Sequence, residues 1–187
     1  VITWMKDKMH LISDAKETGE LAESVPDTAG VCFVPALTGL AAPYWDPYAR
    51  GMLIGITPGT ERAHVVRAAQ VRDILDLMEM DSGIRIRAMR VDGGITANEF
   101  LMQFQADILG IPVDVPEISE TTALGVAYMA AYGSGLFKDL DEIEANWKLK
   151  KRYYPKMSEK EREKKMRMWH RAVARAKEWV EEEETDG

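Results

Sequence analysis

The segment Val91–Asn98, VDGGITAN, constrains the fold more than any other stretch of the chain. Ahead of it, Ile84, Ile86 and Ala88 alternate with Arg85 and Arg87, the two-residue period of a half-buried strand. Behind it, Leu101, Phe104 and Ile108 recur at helical spacing and define one apolar face. A strand that passes into a helix through Asp92-Gly93-Gly94 belongs to an α/β architecture. The two glycines remove the side chains that would keep a ligand off the backbone. The helix that follows points its unpaired N–H groups and partial positive charge at whatever sits over the turn. A phosphate suits that place. Asn98 lies one helical turn beyond Gly94 and can reach toward the same ligand. A simple tight turn with a helix cap explains the same residues, so spacing alone leaves both readings open. The segment is not a P-loop, because no Gly-Lys-Ser/Thr follows.

The rest of the chain supports an α/β reading. Residues 2–12 predict a short helix, with Ile2, Met5 and Met9 at helical spacing, and residues 13–30 predict a loop with about one helical turn. Val31–Val34 and Gly51–Thr57 read as strands joined by an apolar loop, Pro35–Arg50. In that loop Thr38 and Gly39 are candidates for phosphate contact and Asp46 for a cap or a cation. Tyr44, Trp45 and the prolines equally suit the filling of an interface. Thr60 is placed to cap a helix running to Met80, closed at Asp81-Ser82-Gly83. Val113 and Val115 form a short strand, and Ser119 or Thr121 is placed to cap a helix of small residues, Ala123–Tyr132, closed by Gly133 and Gly135. Ser158 followed by Glu161 has the capping-box pattern. Beyond it Trp169, Ala172, Val173, Ala176 and Val180 form one apolar stripe, with a densely charged opposite face. The order of strands and helices predicts a mixed sheet flanked by helices, with a C-terminal amphipathic helix.

Other chemistries find little support. The net charge of −7 argues against a general nucleic-acid binder. Trp147–Lys156 (WKLKKRYYPK) mixes basic and aromatic residues as nucleic-acid surfaces do, but a solvated edge with Tyr153 and Tyr154 packed inward accounts for it as well. The single cysteine, Cys32, excludes an internal disulfide and a thiolate metal cluster, and points to a reducing, cytoplasmic setting. His10, His64 and His170 lack metal-ligand spacing. No apolar run is long enough to span a membrane. The chain opens partway through an amphipathic pattern, without a signal peptide, as if its front were removed.

Three stretches carry a resemblance: VPALTGLAAPYWDPYARGMLIGIT (Val34–Thr57), RVDGGITANEFLMQFQADILGIPV (Arg90–Val113) and ETTALGVAYMAAYGSGLFKDLDEI (Glu120–Ile143). They resemble the C-terminal domain of the FGGY carbohydrate kinases. The tail Tyr153–Val180 is similar to that of the members acting on glycerol. The resemblance implies an actin- and hexokinase-like (ribonuclease H-like) fold. It implies transfer of phosphate from ATP to glycerol, giving sn-glycerol 3-phosphate, with Mg2+ as cofactor. By the same resemblance Gly94 lies at the α-phosphate and ribose and Asn98 at the adenine, with Gly93 and Asp92 in the same turn. No catalytic residue and no metal ligand carries over. The glycerol site, the β- and γ-phosphate loop, the general-base aspartate and most of the Mg2+ site are expected in an N-terminal lobe that this sequence lacks. The chain alone is therefore expected to be inactive. Homo-oligomers are an expected state of the family. Thr3 stands where the family has a glutamine ahead of Trp4, which puts that contact in doubt.

The family pattern also has about six more residues between Ala69 and Gln70; at about 100° per residue Val66 and Val71 lie roughly 140° apart as written and roughly 20° apart with the six restored. This predicts a helix that is shifted, broken or poorly packed at that point. Two alternatives remain open at the level of sequence. One is the lobe of a different FGGY sugar kinase. The other is a non-catalytic binding or assembly fragment, for which the apolar loop and the 11 methionines would suit an interface.

Overall fold

The structure, a computed structural model, describes residues 1–69 and 86–181. In chain order the elements are α1 (Ile2–Asp7), α2 (Glu17–Glu23), β1 (Cys32–Val34), β2 (Met52–Ile54), α3 (Arg62–Ala68), β3 (Met89–Arg90), a 3-10 turn (Gly94–Ala97), α4 (Glu99–Leu109), β4 (Val113–Pro116), α5 (Thr121–Gly133), α6 (Leu140–Glu144), β5 (Leu149–Tyr153) and α7 (Glu159–Ala176). They fall into two compact units, Val1–Arg85 with Met157–Gly187 and Ile86–Lys156.

In the first unit β1 and β2 pair antiparallel, with Phe33 opposite Leu53. The tail helix α7 supplies the lid of their core. Ser158 Oγ accepts from the Glu161 N–H, as the capping pattern predicts. Its stripe Trp169, Ala172, Val173 and Ala176 is buried with Cys32, Val34, Ala36 and Ala49. The opposite face carries Lys165–Glu161 and Arg167–Glu163 pairs, each contributing only a few tenths of a kcal/mol. The helix ends at Ala176 and does not reach Val180.

The cause of that ending lies in the loop before β2. Asp46 is buried, and its carboxylate accepts from the N–H groups of Tyr48 (2.8 Å), Ala49 (2.9 Å) and Glu178 (2.8 Å). Val180 N–H donates to the Tyr48 carbonyl, and Arg50 N–H to that of Ala176. The loop thus captures the backbone just past the helix and pulls it out of helical register, with Glu178 at φ 50°.

Local competition explains the other differences in this unit. Thr60 does not cap α3, because its hydroxyl accepts from the Thr57 N–H; Glu61 takes the N-cap place and donates its N–H to His64 Nδ1. The first helix stops at Asp7, three residues before His10 takes a left-handed conformation at φ 53°. Residues 17–23 form α2, with Thr18 and Ala22 buried one turn apart. Arg67 of α3 clasps this region by donating to the carbonyls of Ala22 and Val25. Val66 is fully buried beside Met5 and Ile12. Val71, the predicted break near residues 69–70 and the remainder of the helix to Met80 lie outside the described residues.

The second unit holds a three-stranded mixed sheet in the order β3-β4-β5, parallel between β3 and β4 and antiparallel between β4 and β5. Its two faces differ sharply. Met89, Val113 and Tyr153 stand in register and join Leu101, Met102 and Ala106 of α4 in one core. Arg90, Asp114 and Arg152 stand in register on the other face. Gly110, at φ 70°, closes α4 as predicted.

Two expectations change here. The basic stretch forms the edge strand β5, in which Tyr153 is buried but Tyr154 is exposed. Charged side chains suit such an edge, since they discourage pairing with other strands. The small-residue helix starts at Thr121 after Glu120, without a side-chain cap from Ser119 or Thr121, and none of its residues is buried.

Burial alone would push the Asp46 carboxyl up, but the N–H groups of Glu178, Tyr48 and Ala49, with Lys177 nearby, outweigh it and hold the carboxyl below its ordinary range. A lowered folded-state value adds stability that is present above the unfolded value and is lost as pH falls through the folded one. The drop in melting temperature caused by Asp46→Ala is therefore expected to be full above about pH 5 and to shrink as pH falls below about 4. Thermal melts across that range check it; an unchanging drop down to about pH 2 would contradict the role given to the charge.

Candidate functional site

The turn after β3 is held from three directions. Val91 N–H donates to the Asp114 carbonyl at 3.0 Å, the last bond before the chain leaves the sheet. Gly93 N–H donates to the Ser119 carbonyl at 2.9 Å. The Gly93 carbonyl accepts from Thr96 twice, from N at 3.1 Å and from Oγ1 at 2.8 Å. Gly93 has φ 81° and ψ 176°, a region that only glycine occupies without strain.

The expected direct passage from turn to α-helix is corrected. The 3-10 turn Gly94–Ala97 stands between them, and α4 begins at Glu99. Asn98 is responsible. It is extended, at φ −83° and ψ 94°, and its Oδ1 accepts from the Leu101 N–H at 2.9 Å. An Asn cap restarts the helix there. Asn98 therefore has the structural role that spacing allowed. The N–H groups nearest the glycines belong to the 3-10 turn. At the start of α4 itself, Glu99 pairs with Lys151 at 2.7 Å.

Of the four residues singled out, Asp92 and Gly94 are exposed, and Gly93 and Asn98 are half-buried. They occupy one short stretch of backbone. A Cβ added at either glycine would meet no atom within 4 Å. The chain's own packing thus makes no demand for glycine at Gly94, and its backbone is open to an approaching molecule.

The residues singled out in the other unit resolve differently. A Cβ on Gly39 would lie 2.9 Å from the Asp46 carbonyl oxygen, so that glycine serves loop packing. Asp46 takes the capping role, its carboxylate accepting from three backbone donors. Thr38 is exposed. Cys32 is buried, and burial raises its thiol to about 11, which leaves no thiolate for chemistry near neutral pH. Among the described residues no group of three His, Cys, Asp or Glu could hold a metal ion, and no helix is long and apolar enough to cross a membrane.

One feature of the second unit was not anticipated. An open groove of about 420 Å³ lies between α5, α6 and the charged face of the sheet, lined by Arg90, Thr121, Leu124, Gly125, Tyr128 and Trp147 among others. Arg90 lies 4.3 Å from the centre of the Trp147 ring and 3.5 Å from Glu144. Strand alternation could have placed Arg90 opposite the Met89 face, but nothing in the basic and aromatic stretch Trp147–Lys156 pairs Trp147 with so distant a strand.

This mixed α/β arrangement has counterparts among kinases. Residues 1–134 match the model of the FGGY family of carbohydrate kinases, C-terminal domain, and the chain belongs to that family. It is 51% identical over 187 residues to the glycerol kinase of Caldanaerobacter subterraneus subsp. tengcongensis, covering 97% of this chain and 38% of that one. It is 52% identical over 184 residues to glycerol kinase 2 of Thermotoga maritima, covering 95% and 37%. Among solved structures it resembles Plasmodium falciparum glycerol kinase with ADP, at a TM-score of 0.84 and 36% identity, over 94% of this chain and 36% of that one. The actin- and hexokinase-like fold expected from the resemblance is borne out. The chain spans under two-fifths of the length of these relatives.

The two glycines should separate on stability. Gly93→Ala places a side chain at a conformation costing about 1–3 kcal/mol, whereas Gly94→Ala should be neutral or stabilising by up to about 1 kcal/mol. Urea unfolding of both variants tests this, and equal losses would contradict the geometry.

Proposed function

We propose that this chain is the nucleotide-binding lobe of a glycerol kinase, which transfers the γ-phosphoryl group of ATP to glycerol and forms sn-glycerol 3-phosphate. The observation that carries the reading is identity above half, along nearly the whole chain, to proteins named glycerol kinase. The open backbone at Gly94 supports it. In this reading the turn Asp92-Gly93-Gly94 receives the α-phosphate and ribose, and Asn98 lies at the adenine. The domain is the C-terminal lobe throughout, shortened internally near residues 69–70. The setting is the cytoplasm, and association into homo-oligomers accompanies the complete enzyme.

Phosphoryl transfer depends on positioning and charge stabilisation around the γ-phosphate. In the reading proposed here, the groups that act there, and those that hold glycerol, belong to the part of the relatives that this chain does not span. Mg2+ would come with the nucleotide. In this reading no metal ligand is assigned to this chain. A second reading, an assembly or binding module, draws support from the exposure of Val126 (69%), Met129 (53%) and Leu136 (74%).

Calorimetry separates these readings. The chain is expected to bind ATP weakly, at about millimolar strength or better, and Gly94→Asp to abolish the heat by placing a carboxylate against the phosphate. No heat from the parent chain would count against the nucleotide lobe and favour the module. Glycerol-dependent release of ADP by this chain alone should be undetectable, and robust turnover would overturn the assignment of the chemistry to another part of the enzyme.

A further inference from the structure

We infer that Thr96 is a positioning residue for the nucleotide turn, whose hydroxyl holds the Gly93 carbonyl and so aims the Gly94 N–H at a phosphate oxygen of the bound nucleotide. The inference rests on the nucleotide reading given above and adds the residue that sets the geometry of the seat.

In a trans peptide the C=O and the N–H point in opposite directions. The peptide that joins Gly93 to Gly94 has its carbonyl fixed by two donors from one residue, Thr96 N and Thr96 Oγ1. Its N–H, that of Gly94, must then face away from the 3-10 turn. Among the described residues nothing accepts a hydrogen bond from that N–H. No Cβ at either glycine would obstruct it.

The tether matters because glycine rotates cheaply. With no side chain on either side of this peptide, little but hydrogen bonding holds its plane. The preceding peptide is fixed by Gly93 N–H to the Ser119 carbonyl, so the hydroxyl completes the restraint. The backbone bond from Thr96 N–H is common to any such turn. The bond from Oγ1 depends on the side chain and can be removed by itself. Thr96 is half-buried, and valine has nearly its shape.

The ligand that gains is an anion. Hydrogen bonds to charged oxygen are roughly twice as strong as neutral ones, so a misaimed Gly94 N–H should cost a phosphorylated nucleotide more than its nucleoside. Calorimetry of the full chain with ADP and with adenosine, on the parent, Thr96→Val and Thr96→Ser, reads this difference. Thr96→Val is expected to weaken ADP about three- to tenfold and to leave adenosine within about twofold, while Thr96→Ser keeps ADP within about twofold of the parent. Thr96→Val that binds ADP like the parent, while Gly94→Asp abolishes binding, would overturn the role of Thr96 and leave the nucleotide seat standing. Equal losses for ADP and adenosine would assign the hydroxyl to folding alone and also overturn it. A parent chain that binds no ADP would overturn the seat and this inference together.

Discussion

The second unit depends on one buried carboxylate. Asp114 stands in the middle strand of the sheet with 3% of its surface exposed, where an unpaired charge would be strongly unfavourable. Arg152 on the edge strand meets it with two parallel bonds of 2.5 and 2.6 Å. The guanidinium is partly exposed, so the cation keeps part of its hydration while the anion gives up nearly all of its own. The pair fixes the register of β5 on β4, because a shift of one residue would carry Arg152 to the apolar face and leave Asp114 alone. The main chain of the same residue serves the site, since its carbonyl receives the Val91 N–H from which the glycine turn departs. Removing the carboxylate would therefore disturb both a strand pairing and the origin of the turn.

From that origin the turn is a chain of local restraints. Val91 is tied to β4, Gly93 to the loop before α5, and Gly93 again to Thr96. Each restraint is one or two hydrogen bonds, individually worth about 1 kcal/mol. Together they determine the direction of a peptide that has no side chain to steady it. The same logic operates in the first unit, where Asp46 uses its carboxylate on three backbone donors and sets where α7 ends.

What could be read in the sequence follows from where each signal is stored. The stripe Trp169, Ala172, Val173 and Ala176 was legible because packing on one neighbour demands a helical period, and Gly110 because a left-handed cap favours glycine. The glycine turn was legible as a place, with Asp92, Gly93, Gly94 and Asn98 in one stretch. The 3-10 turn within it was not, because it depends on the backbone angles of Asn98. Thr60 is the favoured cap type, yet Glu61 takes the place, because a bond from Thr57 that no period encodes engages the Thr60 hydroxyl. Val180 belongs to the apolar stripe by spacing, yet a loop more than 130 residues earlier ends the helix before it, through Asp46 and Glu178 (|i−j| = 132). Tyr154 differs from Tyr153 only by the alternation of a strand whose existence rests on pairing with β4. Local chemistry reads from sequence; the outcome of competition between distant partners does not.

The helix α5 shows how far that competition extends. Its residues are apolar on every side, Val126 and Met129 as well as Leu124 and Tyr128, yet none of them is buried. A helix of that composition belongs in an interior. Trp147 and α6 line the groove on the side that carries Leu124, Gly125 and Tyr128, and Phe137 packs edge-on against Tyr128. The glycine turn leans on the loop that leads into this helix, through Gly93 and Ser119. In the proposed reading the precision of the seat is therefore coupled to whatever covers α5. A covered α5 would hold the Ser119 carbonyl more firmly, lower the cost of ordering the turn and tighten the nucleotide without a new contact to it.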